Sequence, residues 1–315
     1  MKRAMTIILS IAVISVFSTI AAATTFINIG TGSTGGTYYP VGSTMATIWN
    51  RVIPDMKAAS QSTGGTAQNL QLLENGEAEV AFTDGLYYFA YNGMQAFDGK
   101  PQKHLRGMTP LYPEPIQLMV AEGSGIKSVK DLKGKRVGIG AVASGTEYTA
   151  RALLKIAGID PDKDIKPQNL GLNETASALA DKNIDAGFMM CAIGSSAVVE
   201  VTTMGTGHLI PLEDELIAGL NKDLPYYSEF VIPANSYKGQ TEQLKVSATW
   251  NTLTAHEKLD EELVYQMTKA LYDNKQDLVN VAAIMSFMDA GAVSVIKIPL
   301  HPGAEKYFKE IGAIK

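Results

Sequence analysis

Residues 29–39 read IGTGSTGGTYY. Gly30, Gly32 and Gly35 stand in G-x-G-x-x-G spacing. They follow an alternating stretch, TTFINIG, and precede PVGSTMATIWNRVI, whose Val41, Met45, Ile48 and Trp49 recur at helical spacing. The order is strand, small-residue loop, helix N-terminus. A dinucleotide turn fits it, and so does any site that needs a donor-rich loop at the carboxyl end of a strand. A nicotinamide site needs an acidic residue about twenty positions further on, closing the second strand. Asp55 instead follows Pro54, before that strand begins. No cofactor is expected.

The same order returns. LKGKRVGIGAVASGTEYTARALLKIAGI reads as a strand around Arg136–Ile139, a loop, and a helix from about Glu147 to Ala157, stopped by Gly158. Between the two units, a strand to Ser60, a loop at Gln61–Gly65 and a helix over Thr66–Asn75 lead into AEVAFTD, which ends at Asp84. NGEAEVAFTD and DKNIDAGFMM are equivalent pieces of two units. The expected class is α/β, in two similar units whose loops gather at the carboxyl ends of their strands, where such sheets bind ligands. The first passage between units is expected at Tyr112–Glu114, in a segment held by Pro113 and Pro115, and the return near Glu229–Pro233. C-terminal helices at Ala255–Leu271, Asp277–Ala290 and Ala304–Ile311 are expected to pack back onto the first unit.

The first 23 residues carry Lys2 and Arg3, then an apolar run, then Ala21 and Ala23 in A-x-A arrangement. This is the pattern of a secretory signal peptide with a mature start near Thr24, and it implies a periplasmic protein. Loss of Lys2 and Arg3 leaves 25 basic against 32 acidic residues, about −7 at pH 7, which argues against a nucleic-acid partner. Cys191 is the only cysteine, so no internal disulfide forms; the residue reads as a small buried side chain.

Three loops suit a small anionic solute. The first offers Thr31, Ser33, Thr34 and Thr37, with Tyr38 and Tyr39 at a helix start. The second, STGGT at 62–66, and the third, ASGTE at 143–147, repeat the chemistry. Helix N-termini present unpaired N–H groups and partial positive charge, so they hold a carboxylate without a basic residue. Ser33, Thr37 and Tyr38 are expected to converge with Ser144, Gly145 and Thr146. Tyr227 is a further candidate, by its position near the return passage. Each feature taken alone also fits an ordinary cap or turn. None of the four histidines lies in these loops, and neither H-E-x-x-H nor G-x-S-x-G occurs. No catalytic residue and no metal ligand is expected.

The segments INIGTGSTGGTYYPVG, QSTGGTAQNLQLLENGEAEVAFTD, LRGMTPLYPEPIQLMV, VKDLKGKRVGIGAVASGTEYTARALL and IPLHPGAEKYFKEIG resemble the TAXI family of extracytoplasmic solute receptors. These receptors serve TRAP transporters. The resemblance implies a type II-like periplasmic binding protein fold, in which two α/β lobes joined by a hinge close over a ligand cleft. The lobes are expected at 24–112 plus 230–315 and at 113–229. The implied activity is capture of a carboxylate or amino acid, glutamate or a related dicarboxylate, by a monomer that delivers it to a TRAP membrane permease. A receptor of an ATP-driven importer is the alternative, and a secreted hydrolase a more remote one. The implied ligand-binding set is Gly32, Ser33, Thr34, Gly36, Thr37, Tyr38, Thr63, Gly64, Asp84, Ser144, Gly145, Thr146, Cys191 and Tyr227, with Tyr112–Glu114 among the matching segments. Asp84 suits a ligand ammonium and repels a second carboxylate.

Overall fold

The computed structural model describes residues 24–224 and 226–315; the signal peptide expected at 1–23 lies outside the described residues. In β1 (Thr25–Gly30), Ile27 and Ile29 point inward while Phe26 is 67% exposed, the alternation of a strand with one buried face. α1 (Tyr38–Val52) buries Val41, Met45, Ile48 and Trp49 on one stripe. β2 (Met56–Gln61), α2 (Thr66–Asn75), β3 (Val80–Thr83) and α3 (Leu86–Asn92) complete the first unit. A long strand, β4 (Leu105–Ala121), then leads to β5 (Arg136–Gly138), α4 (Gly145–Ile156), β6 (Lys166–Gln168), α5 (Leu172–Ala180) and β7 (Ala186–Met190). α6 (Ser196–Met204), β8 (Gly207–Ile210), α7 (Asp214–Asp223) and β9 (Ser228–Ile232) follow. A second long strand, β10 (Leu244–His256), precedes α8 (Glu261–Asp273), α9 (Lys275–Val281) and α10 (Pro302–Glu310).

The sheet order is β2-β1-β3-β10-β4-β7-β5-β6, with β8 added on β4 and β9 on β10. β1 runs parallel to β2 and β3, and β5 parallel to β6 and β7. The two units are thus mirror-ordered about the antiparallel pair β4–β10. β4 pairs β10 through Leu105–Ile116 and β7 through Ile116–Val120. β10 pairs β9 through Leu244–Ala248 and β3 through Thr252–Ala255. Both long strands change neighbours midway, and the β4–β10 register shifts between Trp250 and Thr252, opposite Pro113 and Pro110. Proline supplies no ladder donor, and an irregular register bends a strand pair, so the bend sits here. This is the type II periplasmic binding-protein fold, two α/β lobes and a hinge.

The C-terminal helices pack on the first lobe, where Trp49 Nε1 donates to Met267 O at 3.0 Å. Their limits differ from expectation. Residues 255 and 256 close β10 rather than open a helix, because Asp260 caps α8 by accepting from Leu263 N at 2.9 Å. The helix expected to reach Ala290 stops at Val281 and continues as 3₁₀ turns at Ala283–Phe287 and Ala290–Val295.

Candidate functional site

The loops after β1, β2 and β3 meet those after β5, β6 and β7 across a cleft. Ser195 Oγ donates to Gly35 O at 2.9 Å, Asn173 Nδ2 to Thr34 Oγ1 at 3.2 Å, and Gln68 N to Ala143 O at 3.1 Å. The lobes are shut on one another. Two glycines permit this approach. A Cβ on Gly35 would land in the Asn173 side chain, and one on Gly145 in the Asp84 carboxylate.

The first loop is held from beneath by Asn69, fully buried on α2. Its Nδ2 donates to Thr31 O and to Phe82 O, both at 2.7 Å, tying β1 to β3. A buried amide satisfied in this way fixes the loop. Thr37 and Gly65, which precede α1 and α2, make no side-chain cap. Ser144 does cap α4, accepting from Glu147 N at 3.1 Å, while Glu147 Oε2 accepts from Ala143 N at 2.9 Å. Among the described residues the N–H groups of Tyr38, Thr66, Gly145 and Thr146 find no protein partner. These three helix starts, two from one lobe and one from the other, converge on a cavity of about 60 Å³.

Of the residues expected to bind ligand, Gly32, Ser33, Gly36, Thr37, Tyr38, Gly64, Ser144, Gly145 and Thr146 line this cavity. The others do not. Thr34 is exposed and bonds Asn173. Thr63 is turned inward, donating to Thr31 O at 2.9 Å. Asp84 lies behind Gly145. Cys191 is buried, and Gln117 Nε2 donates to its carbonyl at 2.9 Å; burial pushes its thiol up to about 12, so it stays protonated. Tyr227 shares a 2.7 Å hydrogen bond with Thr149 Oγ1 and supports Met190 from behind. The lining also takes in Thr66, Glu114, Leu172, Phe188 and Met190.

Glu114 is the member of most consequence; the residue set named from sequence omits it, although the family resemblance places Tyr112–Glu114 among the pocket segments. It is 3% exposed, its Oε2 accepts from Tyr38 Oη at 3.1 Å, and Tyr38 Oη also bonds Asn251 Oδ1 on β10. Burial, reinforced by the nearby Asp84 charge, raises its carboxyl to about 8. Burial also raises Asp84 to about 6, against the Leu86 N–H that its Oδ1 accepts at 2.8 Å. Among the described residues Asp84 Oδ2 has no partner, and no Lys, Arg or His among them lines the cavity. Arg106 is paired with Glu257 at 2.6 Å, and Arg151 with Glu147 and Asp162. The histidines lie elsewhere: His104 stacks on His256, His208 meets Glu122, and His301 caps α10 by accepting from Gly303 N. Among the described residues the cleft therefore brings together hydroxyls, backbone donors and buried acids, without a nucleophile beside a base.

A family model described as the NMT1-like family matches residues 29–312. The chain belongs to the NMT1-like family. Solved structures of similar fold extend the comparison of this NMT1-like protein. A protein from Bordetella bronchiseptica matches at a TM-score of 0.53 and 14% identity, over 91% of this chain and 98% of its own. The alkanesulfonate-binding protein SsuA from Xanthomonas axonopodis pv. citri, bound to MOPS, matches at 0.50 and 15% identity, over 92% and 85%. An ancestral arginine-binding protein bound to arginine matches at 0.50 and 16% identity, over 84% and 97%. What these structures share with the chain is the two-lobed fold. The family shown is the NMT1-like one, and it replaces the TAXI identity, and with it the TRAP permease partner, expected from sequence. The physical reason lies in what the five segments encode. They are the strand–loop–helix pieces that build the two lobes and the crossing strand, and a type II lobe needs them whichever permease it serves.

Proposed function

We propose that this NMT1-like protein is the extracytoplasmic solute receptor of an ABC-type importer, capturing one small acid between its lobes. The observation that carries the reading is the convergence of helix N-termini from both lobes, with the N–H groups of Tyr38, Thr66, Gly145 and Thr146 unpaired, on one cavity that no basic side chain lines among the described residues. Such donors hold a carboxylate or sulfonate through N–H groups and the helix dipole. Alkanesulfonate and arginine, the ligands named for the similar structures, both belong to solutes with an acid group. Glutamate or a related amino acid or dicarboxylate is the solute class we favour here. The binding residues in this reading are the cavity-lining members of the set above, with Asp84, Thr63, Thr34, Cys191 and Tyr227 supporting them.

In the same reading the chain is exported by the leader at 1–23 and works as a monomer. Lobe one comprises 24–112 plus 230–315, and lobe two 113–229, with the return passage carried by β10 near its register shift. The test is a thermal-shift screen of the ligand-stripped mature protein against amino acids, dicarboxylates and sulfonates, followed by calorimetry. A ligand of the native state raises apparent stability by mass action. A hit among acids, with compaction in solution scattering, is the expected result; stabilisation only by sugars or uncharged aromatics sinks the ligand class.

A further inference from the structure

We infer that Glu114 is a specificity-determining residue that demands a cationic nitrogen on the bound solute, so that the cleft takes amino acids or aminoalkyl acids and rejects the matching oxo acids and dicarboxylates. The inference rests on the receptor reading above and narrows its solute.

Two carboxylates, Asp84 and Glu114, are 1% and 3% exposed beside the same cavity. Buried charges in folded proteins are paired, because an unpaired ion loses most of its hydration for nothing in return. Neither acid has a basic partner among the described residues. Glu114 accepts from Tyr38 at Oε2, and its side chain forms part of the cavity wall. The groups that face it supply no cation either: Tyr38 from α1, Asp84 after β3, Tyr112 on β4, Cys191 after β7 and the neutral amide of Asn251 on β10. Among the described residues Tyr112 Oη, Asp84 Oδ2 and Asn251 Nδ2 are buried without partners at this level of the fold.

The helix starts around the cavity favour an anion, and the acids beneath favour a cation. A zwitterion satisfies both at once. An acid without an ammonium would instead press an anionic or carbonyl oxygen against Glu114 and Asp84. The carboxyl of Glu114 holds its proton to about pH 8 before the ammonium arrives. At neutral pH the ammonium displaces that proton to solvent, leaving a carboxylate–ammonium pair.

The experiment is titration calorimetry of the wild-type mature protein at pH 7, in buffers of different ionisation enthalpy. The probes are matched pairs: L-glutamate against 2-oxoglutarate, L-aspartate against oxaloacetate, and taurine against isethionate. The expected result is that at least one amine-bearing probe binds about 100-fold or more tightly than its counterpart and releases close to one proton, with the release gone by pH 9. Glu114→Gln, with folding checked by circular dichroism, should abolish both the release and the preference. Equal or tighter binding of an amine-free partner overturns the inference, as does binding by an amine-bearing probe without proton release. Both results leave the receptor reading standing. If no probe of either kind binds, the receptor of small acids fails and the inference falls with it. The proton count on wild-type protein decides the matter even where the variant does not fold.

Discussion

Asp84→Asn offers a test of the buried-acid argument that needs no ligand. Asp84 ordinarily titrates near 3.8 but holds its proton to about 6 in the fold, because burial disfavours the anion. The folded state therefore binds more protons than the unfolded chain across that interval. The contribution of this group is fully present below 3.8 and is lost as pH rises through 6. By pH 7.5 the loss amounts to about 3 kcal/mol, and at pH 4.5 to only about 1 kcal/mol. Asparagine keeps the oxygen that accepts from Leu86 N and never ionises. The variant should gain stability over wild type by about 2 kcal/mol between pH 4.5 and 7.5, read by urea unfolding at the two values. An advantage that stays constant with pH, or a variant less stable than wild type at pH 7.5, would refute a desolvated and unpaired Asp84.

Three further outcomes follow from the cleft. Thr146→Val should weaken acid binding by about 1.5–3 kcal/mol if its hydroxyl meets a charged ligand, and leave melting unchanged, since Ser144 rather than Thr146 caps α4. Ser144→Ala should instead lower the stability of the unliganded protein by about 1 kcal/mol, measured by denaturant unfolding. Gly145→Ala places a methyl against the buried Asp84 carboxylate, so it should hold the lobes apart, with a larger radius of gyration in scattering and loss of binding; unchanged compaction would show that the contact does not control closure.

Much of this was legible in the sequence because local grammar and tertiary role coincide in the lobes. IGTGSTGG and AVASGTE announce a loop between strand and helix, and the structure puts both loops at the cavity. The long strands were harder. β10 lies between two neighbours and is buried on both faces, so SATWNTLTAH lacks the alternation that betrays a half-exposed strand, and its end was assigned to a helix. Glu114 stands between two prolines in a strand that is buried almost throughout. No spacing rule tells which acid of such a strand faces a cavity, and Tyr38, which donates to it, lies 76 residues away. The permease was misread because sequence segments that build a lobe carry no record of the surface a membrane partner touches.

The sheet order also governs how the chain becomes a folded protein. β10 occupies the slot between β3 and β4, and its last residue, His256, pairs with Leu105. Until that stretch has emerged, the first sheet is split and α8 has no β10 to lead it onto α1. The elements from β4 to β9, by contrast, are all present earlier. Long-range closure of this kind is slow, so the amino-terminal lobe, synthesised first, is the last to be completed. Its unpaired edges at β3 and β4 are the surfaces that need shielding in the interval.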